Sequence, residues 1–269
     1  LRGTESLRPR WKRAVQETDG AMGEAIGAEY VRRHFPPEAK VRMDQLVRNL
    51  LAAFDRGIDS LEWMSAATRK EAHAKLAKIK VKIAYPDKWR DYTGLEIRPD
   101  DLLGNVMRSN QFEWNWQAAR AGQPKDPTEW FMTPQTVNAY YLPTNNEIVF
   151  PAAFLQPPLF NMAADDAVNY GAVGSVIGHE ISHGFDDRGR QYDGDGNLRD
   201  WWTAEDNDKF KQKAAGLVQQ YSSFEALPGL NVNGELTLGE NIGDLSGVAV
   251  AYAAYVASLN GAEPPVIDG

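Results

Sequence analysis

The chain has 269 residues, of which 43% are apolar and 25% charged, and it contains 23 glycines, 15 prolines and no cysteine. This composition is that of a globular protein and excludes collagen-like, disordered and disulfide-stapled classes. Without cysteine there is neither a thiolate nucleophile nor a cysteine-ligated metal site, so the four histidines and the carboxylates are the only strong metal ligands.

The formal net charge of −8 is unevenly distributed along the sequence. Residues 1–100 hold 20 basic and 15 acidic side chains, whereas residues 101–269 hold 9 and 22. An acidic chain without a basic stripe is a poor nucleic-acid binder, so we expect no nucleic-acid partner. No apolar run approaches the ~20 residues that span a bilayer, and no signal peptide opens the sequence, so we expect no membrane span in this chain.

Residues 1–85 are predicted to be helical, because apolar side chains such as Leu46 and Leu50 recur at three- and four-residue spacing. Ser65 is a suitable N-cap for a helix that continues toward Ile79. His34 and His73 are interpreted as surface or helix-capping histidines. Five lysines are predicted to form the solvated face of a helix: Lys70, Lys75, Lys78, Lys80 and Lys82.

Residues 86–135 contain five prolines and are predicted to form a loop-rich connection. Two short strands, 137–141 and 147–150, flank a stretch with turn composition and predict a small hairpin. The remaining pattern predicts three helices, at residues 165–184, 203–224 and about 238–258. The loop between the first two, residues 185–202, is rich in glycine and aspartate.

A His-Glu-Ile-Ser-His motif lies within the predicted helix 165–184. His179 and His183 are four residues apart, so both imidazoles leave the same face and can converge on one ion. Glu180 projects about 100° round the helix axis, where it can reach a zinc-bound water as a general base. The alternative is that the two histidines are simply buried in a structural or interaction protein. Apolar neighbours favour the metal, because unpaired buried His and Glu are costly.

A catalytic zinc ion commonly needs a third protein ligand. Glu240 and Asp244 are four residues apart on the last predicted helix, so Glu240 can ligate the ion while Asp244 accepts a hydrogen bond from a ligand histidine. The alternative is an exposed helix start at which acidic residues interact favourably with the helix dipole.

The acidic segment that begins at Asp193 and includes Asp195 and Asn197 is superficially similar to a calcium-binding loop. An EF-hand loop requires Gly at its sixth position and Glu at its twelfth, where this sequence has Leu198 and Ala204. We therefore interpret the segment as a tight turn.

Four motifs in order resemble the neprilysin-like zinc endopeptidases, a family that includes endothelin-converting enzyme and bacterial oligopeptidases. The motifs are VNAYY at 137–141, EIVFPAAFLQPPLF at 147–160, VIGHEISHGFDDRGRQYDGDGNLRDWW at 176–202 and LGENIGD at 238–244, with a weaker match at 61–89. The resemblance covers essentially the whole chain.

The resemblance implies a single zinc ion held by His179, His183 and Glu240. It implies that Glu180 is the catalytic base. Asp244 matches the family aspartate that orients the first zinc histidine. That aspartate has also been assigned a proton-donor role.

The resemblance also implies short peptide substrates. Asn138 and Ala139 match the Asn-Ala pair that holds the substrate main chain in an extended pose. Phe154, Leu159 and Val176 are similar in position to the residues that line the hydrophobic pocket for the residue after the scissile bond. The implied reaction is cleavage on the amino side of bulky hydrophobic residues.

The implied fold is mainly α (α+β), with a thermolysin-like zincin core, an active-site helix and a small sheet edge. Residues 1–85 are expected to belong partly to the helical domain that roofs the cavity, and residues 86–269 to form the catalytic domain, truncated at its C-terminus. The lack of cysteine fits a bacterial member better than the disulfide-rich animal ectodomains, and analogy implies a cell-envelope or secreted location.

Family members continue beyond the last motif with a histidine that stabilises the oxyanion and an arginine that binds substrate. Neither has a counterpart here, so a further segment or a separate chain is expected to complete the active site. The alternative is a zinc-binding fragment without activity, since loss of one oxyanion donor costs about 10²–10³ in rate.

Overall fold

A computed structural model describes residues 6–266. The chain is mainly helical with small sheets, which confirms the expected fold class. The α-helices are α1 Arg10–His34, α2 Pro37–Asp59, α3 Ala66–Leu76, α4 Leu102–Arg120, α5 Asp166–Asn169, α6 Ser175–Ser182, α7 Ala204–Ser222 and α8 Leu238–Ser258. The strands are β1 Lys80–Ala84, β2 Tyr140–Leu142, β3 Glu147–Pro151, β4 Glu225–Leu227 and β5 Leu230–Asn231. Across residues 6–266, every helix is too short or too polar to cross a bilayer.

One of two compact units comprises the residues up to Pro36, Ala84–Val137 and Pro151–Ala153. Its main helices are α1 and α4, which pack against each other. The predicted loop-rich connection over 86–135 is wrong, because α4 occupies 19 of those residues. The sequence between Pro99 and Pro124 contains no proline, and the Asp101 carboxylate caps the helix by accepting the N–H of Gly104 at 3.0 Å.

The other unit comprises Pro37–Ile83, Asn138–Phe150 and the residues from Phe154 onwards. Its core forms where α8 packs against α6 and α2. The predicted domain boundary at residue 85 stays a prediction. Fully buried apolar side chains from these helices fill this core: Met43, Leu50, Ile177, Ile181 and Ala254.

A three-stranded sheet in this unit has the order β1-β3-β2. The predicted hairpin is confirmed, because β2 pairs antiparallel with β3 and Tyr140 lies opposite Val149. The strand begins at Tyr140, after the Asn-Ala pair rather than before it. Because β3 lies in the middle of this order, β2 is one of the two edge strands of the sheet.

Two predictions for the lysine-rich segment are wrong. The helix ends at Leu76 and the chain continues as β1, whose Lys80 N–H donates to the carbonyl of Asn146 at 2.8 Å. The lysines also do not share a solvated face, since Lys75 is 2% exposed and Lys82 pairs with the buried Glu147 at 2.9 Å.

The three helices predicted in the C-terminal part of the chain are confirmed, with one irregularity. The segment 165–184 contains α5, a π-helical turn at Tyr170–Gly174 and α6, rather than one continuous α-helix. At the end of the π turn, the Ser175 hydroxyl donates to the carbonyl of Gly171 at 2.8 Å.

The acidic loop forms the predicted tight turn. The Asp193 carboxylate accepts the backbone N–H groups of Asp195 at 2.9 Å and Asn197 at 3.0 Å, and it also accepts Arg199 Nε at 3.0 Å. Protein donors therefore satisfy this carboxylate, as expected for a turn.

The two remaining histidines lie where the sequence suggested. His34 is the last residue of α1. His73 lies between Asp55 and Asp59, with ring nitrogens 2.6 Å and 3.0 Å from their carboxylate oxygens, and the hydrogen bond with Asp55 is the main cause of its raised pKa.

A buried carboxylate joins the beginnings of α3 and α7. Asp206 accepts the backbone N–H of Ser65 at 3.0 Å, the Thr68 hydroxyl at 2.6 Å and the Thr203 hydroxyl at 2.7 Å. Ser65 is the predicted N-cap of α3, and Thr203 is the N-cap of α7. Burial alone would raise the pKa of Asp206, but these hydrogen bonds lower it to about 2.

We expect Asp206→Asn to lower the free energy of unfolding by about 2 kcal/mol at pH 7, because an uncharged amide accepts these donors less strongly. The folded pKa lies below the unfolded value, so the stabilisation is present above about pH 4 and is lost as the pH falls toward 2. Urea unfolding at several pH values measures both effects. Asp208→Asn, an exposed change on the same helix, is the control, and equal losses for the two variants would contradict the role of Asp206.

Candidate metal centre

The site is built where α6 and α8 approach each other through glycines. A Cβ atom added to Gly178 would lie 2.9 Å from the Cα of Gly247, and one added to Gly247 would lie 2.8 Å from the backbone nitrogen of His179. A Cβ on Gly243 would lie 2.7 Å from Nδ1 of the His179 ring. The two helices can therefore approach this closely because these positions carry no side chain.

Three predicted ligand residues converge at this contact. His179 and His183 leave the same face of the helix, and their ring centroids are 4.5 Å apart. The Glu240 Oε2 atom lies 3.2 Å from Nε2 of His179 and 3.7 Å from Nε2 of His183. One potential ligand atom from each of the three residues lies within 4.8 Å of the others. These separations are close to the about 3.3 Å expected between ligand atoms in a tetrahedral zinc shell.

The Nδ1 atom of each histidine, on the side of the ring away from Glu240, contacts an aspartate carboxylate. His179 Nδ1 lies 2.8 Å from Asp244 Oδ1, and His183 Nδ1 lies 2.8 Å from Asp186 Oδ2. An Nδ1–H that donates to a carboxylate leaves the lone pair of Nε2 free to ligate a metal. Two such nitrogens and a carboxylate oxygen are all electron-pair donors, so a shared cation fits this set of atoms.

Burial distinguishes Glu180 from Glu240, the predicted ligand. Glu180 is buried, whereas the Glu240 side chain is 69% exposed. Burial raises the pKa of Glu180, while His183, His179 and a backbone hydrogen bond from Tyr141 oppose the increase. Glu180 therefore has the environment of a carboxylate with increased basicity next to the predicted metal ligands.

The Asn-Ala pair lies immediately before the edge strand β2. Ala139 is buried, and Asn138 is exposed with its side-chain oxygen accepting the N–H of Ala139 at 2.9 Å. The Tyr141 backbone in β2 hydrogen-bonds to Glu180, so the edge strand and α6 are adjacent.

The three predicted pocket residues differ in burial. Phe154 is buried, with its ring centroid 6.4 Å from that of Phe150. Leu159 and Val176 are half-buried, and the Leu159 carbonyl accepts the N–H of Val173 in the π turn. Their role in a substrate pocket stays a prediction.

Sequence reasoning missed the carboxylate that supports His183. Besides this contact, Asp186 accepts the backbone N–H of Arg188 at 2.9 Å and that of Gly189 at 2.7 Å. Its place three residues after His183 is the signal that could have identified it, because the tight turns that follow α6 keep residues three apart close together.

Two family models match this chain. Both are described as Peptidase family M13, and they match residues 1–86 and 138–269.

Curated relatives and solved structures agree with these matches. An endothelin-converting enzyme homolog from Locusta migratoria is 40% identical over 95% of this chain, and endothelin-converting enzyme 1 from Bos taurus is 41% identical over 95%. The chain spans about a third of their length, 36% and 35% respectively.

Two solved structures have a similar fold. A crystal structure of the Mycobacterium tuberculosis zinc metalloprotease Zmp1 in complex with an inhibitor is 53% identical, with a TM-score of 0.93 that covers 99% of this chain and 41% of that one. PepO from Lactobacillus rhamnosis is 37% identical, with a TM-score of 0.79 over 90% of this chain and 38% of that one.

We expect Gly247→Ala to lower the free energy of unfolding by about 1–3 kcal/mol, because the added methyl group would force the two helices apart. Gly216→Ala is the matched control. Gly216 lies in the exposed interior of α7 with open space around it, so its replacement should be neutral or stabilising by up to about 1 kcal/mol. Thermal unfolding of the two variants measures the difference, and equal stability of Gly247→Ala and the unmodified chain would refute the close-contact argument.

Proposed function

The chain belongs to peptidase family M13, and from that premise we propose that it carries the zinc site and catalytic base of a metalloendopeptidase. The proposed reaction is hydrolysis of short peptides on the amino side of bulky hydrophobic residues. The observation that carries the proposal is the convergence of two histidine nitrogens and a glutamate oxygen within 4.8 Å.

His179, His183 and Glu240 would hold the zinc ion. When bound, zinc acts as a Lewis acid that polarises the scissile carbonyl and lowers the pKa of water. Asp244 and Asp186 keep both rings oriented with Nε2 toward Glu240, which supports a preorganised site rather than one assembled by the ion.

Glu180 is the proposed general base. Its carboxylate accepts a proton from the attacking water as the new bond forms between the water oxygen and the scissile carbon. The same proton then passes from Glu180 to the amine nitrogen as the C–N bond breaks, so the carboxylate is regenerated. Partial desolvation of Glu180 supports this role, because a more basic carboxylate takes up a proton more readily.

The edge strand β2 is the proposed platform for the substrate backbone. An extended peptide can add to an exposed sheet edge through main-chain hydrogen bonds, and Asn138 and Ala139 lie at the start of that edge. Phe154, Leu159 and Val176 are the proposed apolar lining for the side chain that follows the scissile bond.

A second candidate is a zinc-binding chain that does not hydrolyse peptides by itself. The observation in its favour is that the chain spans about a third of the length of its curated relatives. Zinc binding and peptide turnover are therefore tested separately.

We expect the metal-free chain to bind one zinc ion, with a rise in melting temperature, because only the folded state brings the three ligands together. Glu240→Gln should weaken zinc binding by roughly 100-fold or more, since it removes a charged ligand. Glu235→Gln, an exposed change just before the same helix, should leave binding unchanged. Competition with a chromophoric chelator measures the affinities, and identical values for the two variants would reject Glu240 as a ligand.

Glu180→Gln should retain zinc but lose about 10²–10⁴ in turnover of an internally quenched peptide, because the amide cannot take up the proton. Bound zinc is measured on the same samples by elemental analysis. A variant with full activity would exclude Glu180 as the base. Zinc binding by the unmodified chain with no turnover would favour the second candidate.

A further inference from the structure

Lys75 is a buried cation in α3, a helix that contributes no ligand to the proposed zinc site. Its side chain is among the largest that are completely enclosed in the described residues 6–266. The ammonium group donates to three backbone carbonyls, those of Gly184, Gly189 and Tyr192, the last two at 2.7 Å. All three carbonyls belong to the segment 184–192, which follows α6 directly. One side chain thus fixes this segment at three points.

Backbone carbonyls and aromatic rings surround the Lys75 ammonium group in place of the water molecules that solvate a surface lysine. The rings of Tyr141, Phe185 and Trp201 lie with centroids 5.8, 5.4 and 5.9 Å from its Nζ atom. Within residues 6–266, its ammonium group makes no ion pair with a carboxylate. Three carbonyl dipoles, three aromatic faces and the charges of Asp186 and Asp193 act in favour of the ammonium form, but burial lowers the pKa of Lys75 to about 7. The carbonyl and aromatic contacts all depend on the position of Nζ.

A short series of contacts connects this cation to His183. Gly184 is the residue after His183, and its carbonyl accepts one Lys75 bond. Gly189 accepts the second bond, and its N–H donates to Asp186 Oδ1 at 2.7 Å. The other oxygen of Asp186 lies 2.8 Å from His183 Nδ1. Lys75 thus holds both ends of the turn that presents Asp186 to the histidine.

We propose that Lys75 is a positioning residue for the metal centre, which fixes the segment 184–192 so that Asp186 orients the ring of His183. The proposal rests on the proposed zinc site and adds a residue that touches neither the metal nor a ligand side chain. Loss of Lys75 would leave three buried carbonyls without their donor, so the segment would shift and the support of His183 would weaken.

Zinc affinity tests the proposal independently of catalysis. Lys75→Met keeps an unbranched side chain that is one atom shorter and removes its three donors. We expect about 10–100-fold weaker zinc binding, the usual effect of losing an outer support of a ligand histidine. Lys78→Met is the matched control, because Lys78 is three residues away, is half-exposed and pairs with Asp195 at the surface. Its zinc affinity should equal that of the unmodified chain.

A double-mutant cycle separates positioning from a general loss of stability. Asp186→Asn removes the charged partner of His183. If Lys75 acts through Asp186, Lys75→Met should reduce zinc affinity much less in the Asp186→Asn background than in the unmodified chain. Additive losses in the cycle would indicate a merely structural role and overturn the proposal. The visible spectrum of bound Co²⁺ should change in the same non-additive way.

Chemical rescue covers the case in which Lys75→Met does not fold. The chain contains no cysteine, so Lys75→Cys introduces a unique thiol. The unfolded variant is alkylated with 2-bromoethylamine, which forms a C–S bond with loss of bromide and rebuilds a lysine-like side chain, and is then refolded. Alkylation with 2-bromoethanol gives an uncharged side chain of equal length that keeps one donor.

The aminoethyl form should bind zinc within about two-fold of the unmodified chain, and the hydroxyethyl form at least about 10-fold more weakly. Equal affinities of the two forms would overturn the role of Lys75 while leaving the zinc site intact. Absence of zinc binding by the unmodified chain would instead overturn the proposed function, and the role of Lys75 with it.

Discussion

The close contact between α6 and α8 is the constraint on which the rest of the site depends. Gly178 and Gly247 bring the two backbones together, and Gly243 leaves room for the ring of His179. Helices separated by ordinary side chains lie 8–10 Å apart. In this chain the shorter separation sets the distances between the Glu240 carboxylate and the two histidine rings. The same contact lies in the core of its unit, so the forces that stabilise the fold also set the geometry of the site.

Electrostatics at this contact favours a cation over an empty site. Four carboxylates surround two histidines: Glu180, Asp186, Glu240 and Asp244. Each histidine directs Nδ1 to an aspartate and Nε2 toward Glu240. Such an arrangement concentrates negative charge and lone pairs in a small volume, which costs free energy unless a positive charge neutralises it. Folding and metal binding are coupled at such sites, because only the folded chain holds the ligands together.

Local patterns in the sequence predicted much of this fold. The spacing of His179 and His183, the spacing of Glu240 and Asp244, and the hairpin before Pro151 all depend on residues close together in the chain. The failures have different causes. The helix α4 was missed because prolines at its borders were interpreted as breaks within the region. The burial of Lys75 could not be predicted, because its carbonyl partners lie more than 100 residues away in the sequence. Helical periodicity describes which residues share a face, but not what that face contacts.

The π turn at Tyr170–Gly174 has a consequence for how this helix can change in evolution. A π turn holds one more residue than an α-helical turn, and it is the form in which a helix absorbs a single-residue insertion. The irregularity lies entirely upstream of His179, and α6 resumes regular geometry at Ser175, before His179 and His183. A change of one residue in this segment can thus be accommodated in the turn without altering the angle at which the two imidazoles leave the helix. The number of residues upstream of Ser175 can therefore change by one while the orientation of His179 and His183 stays the same.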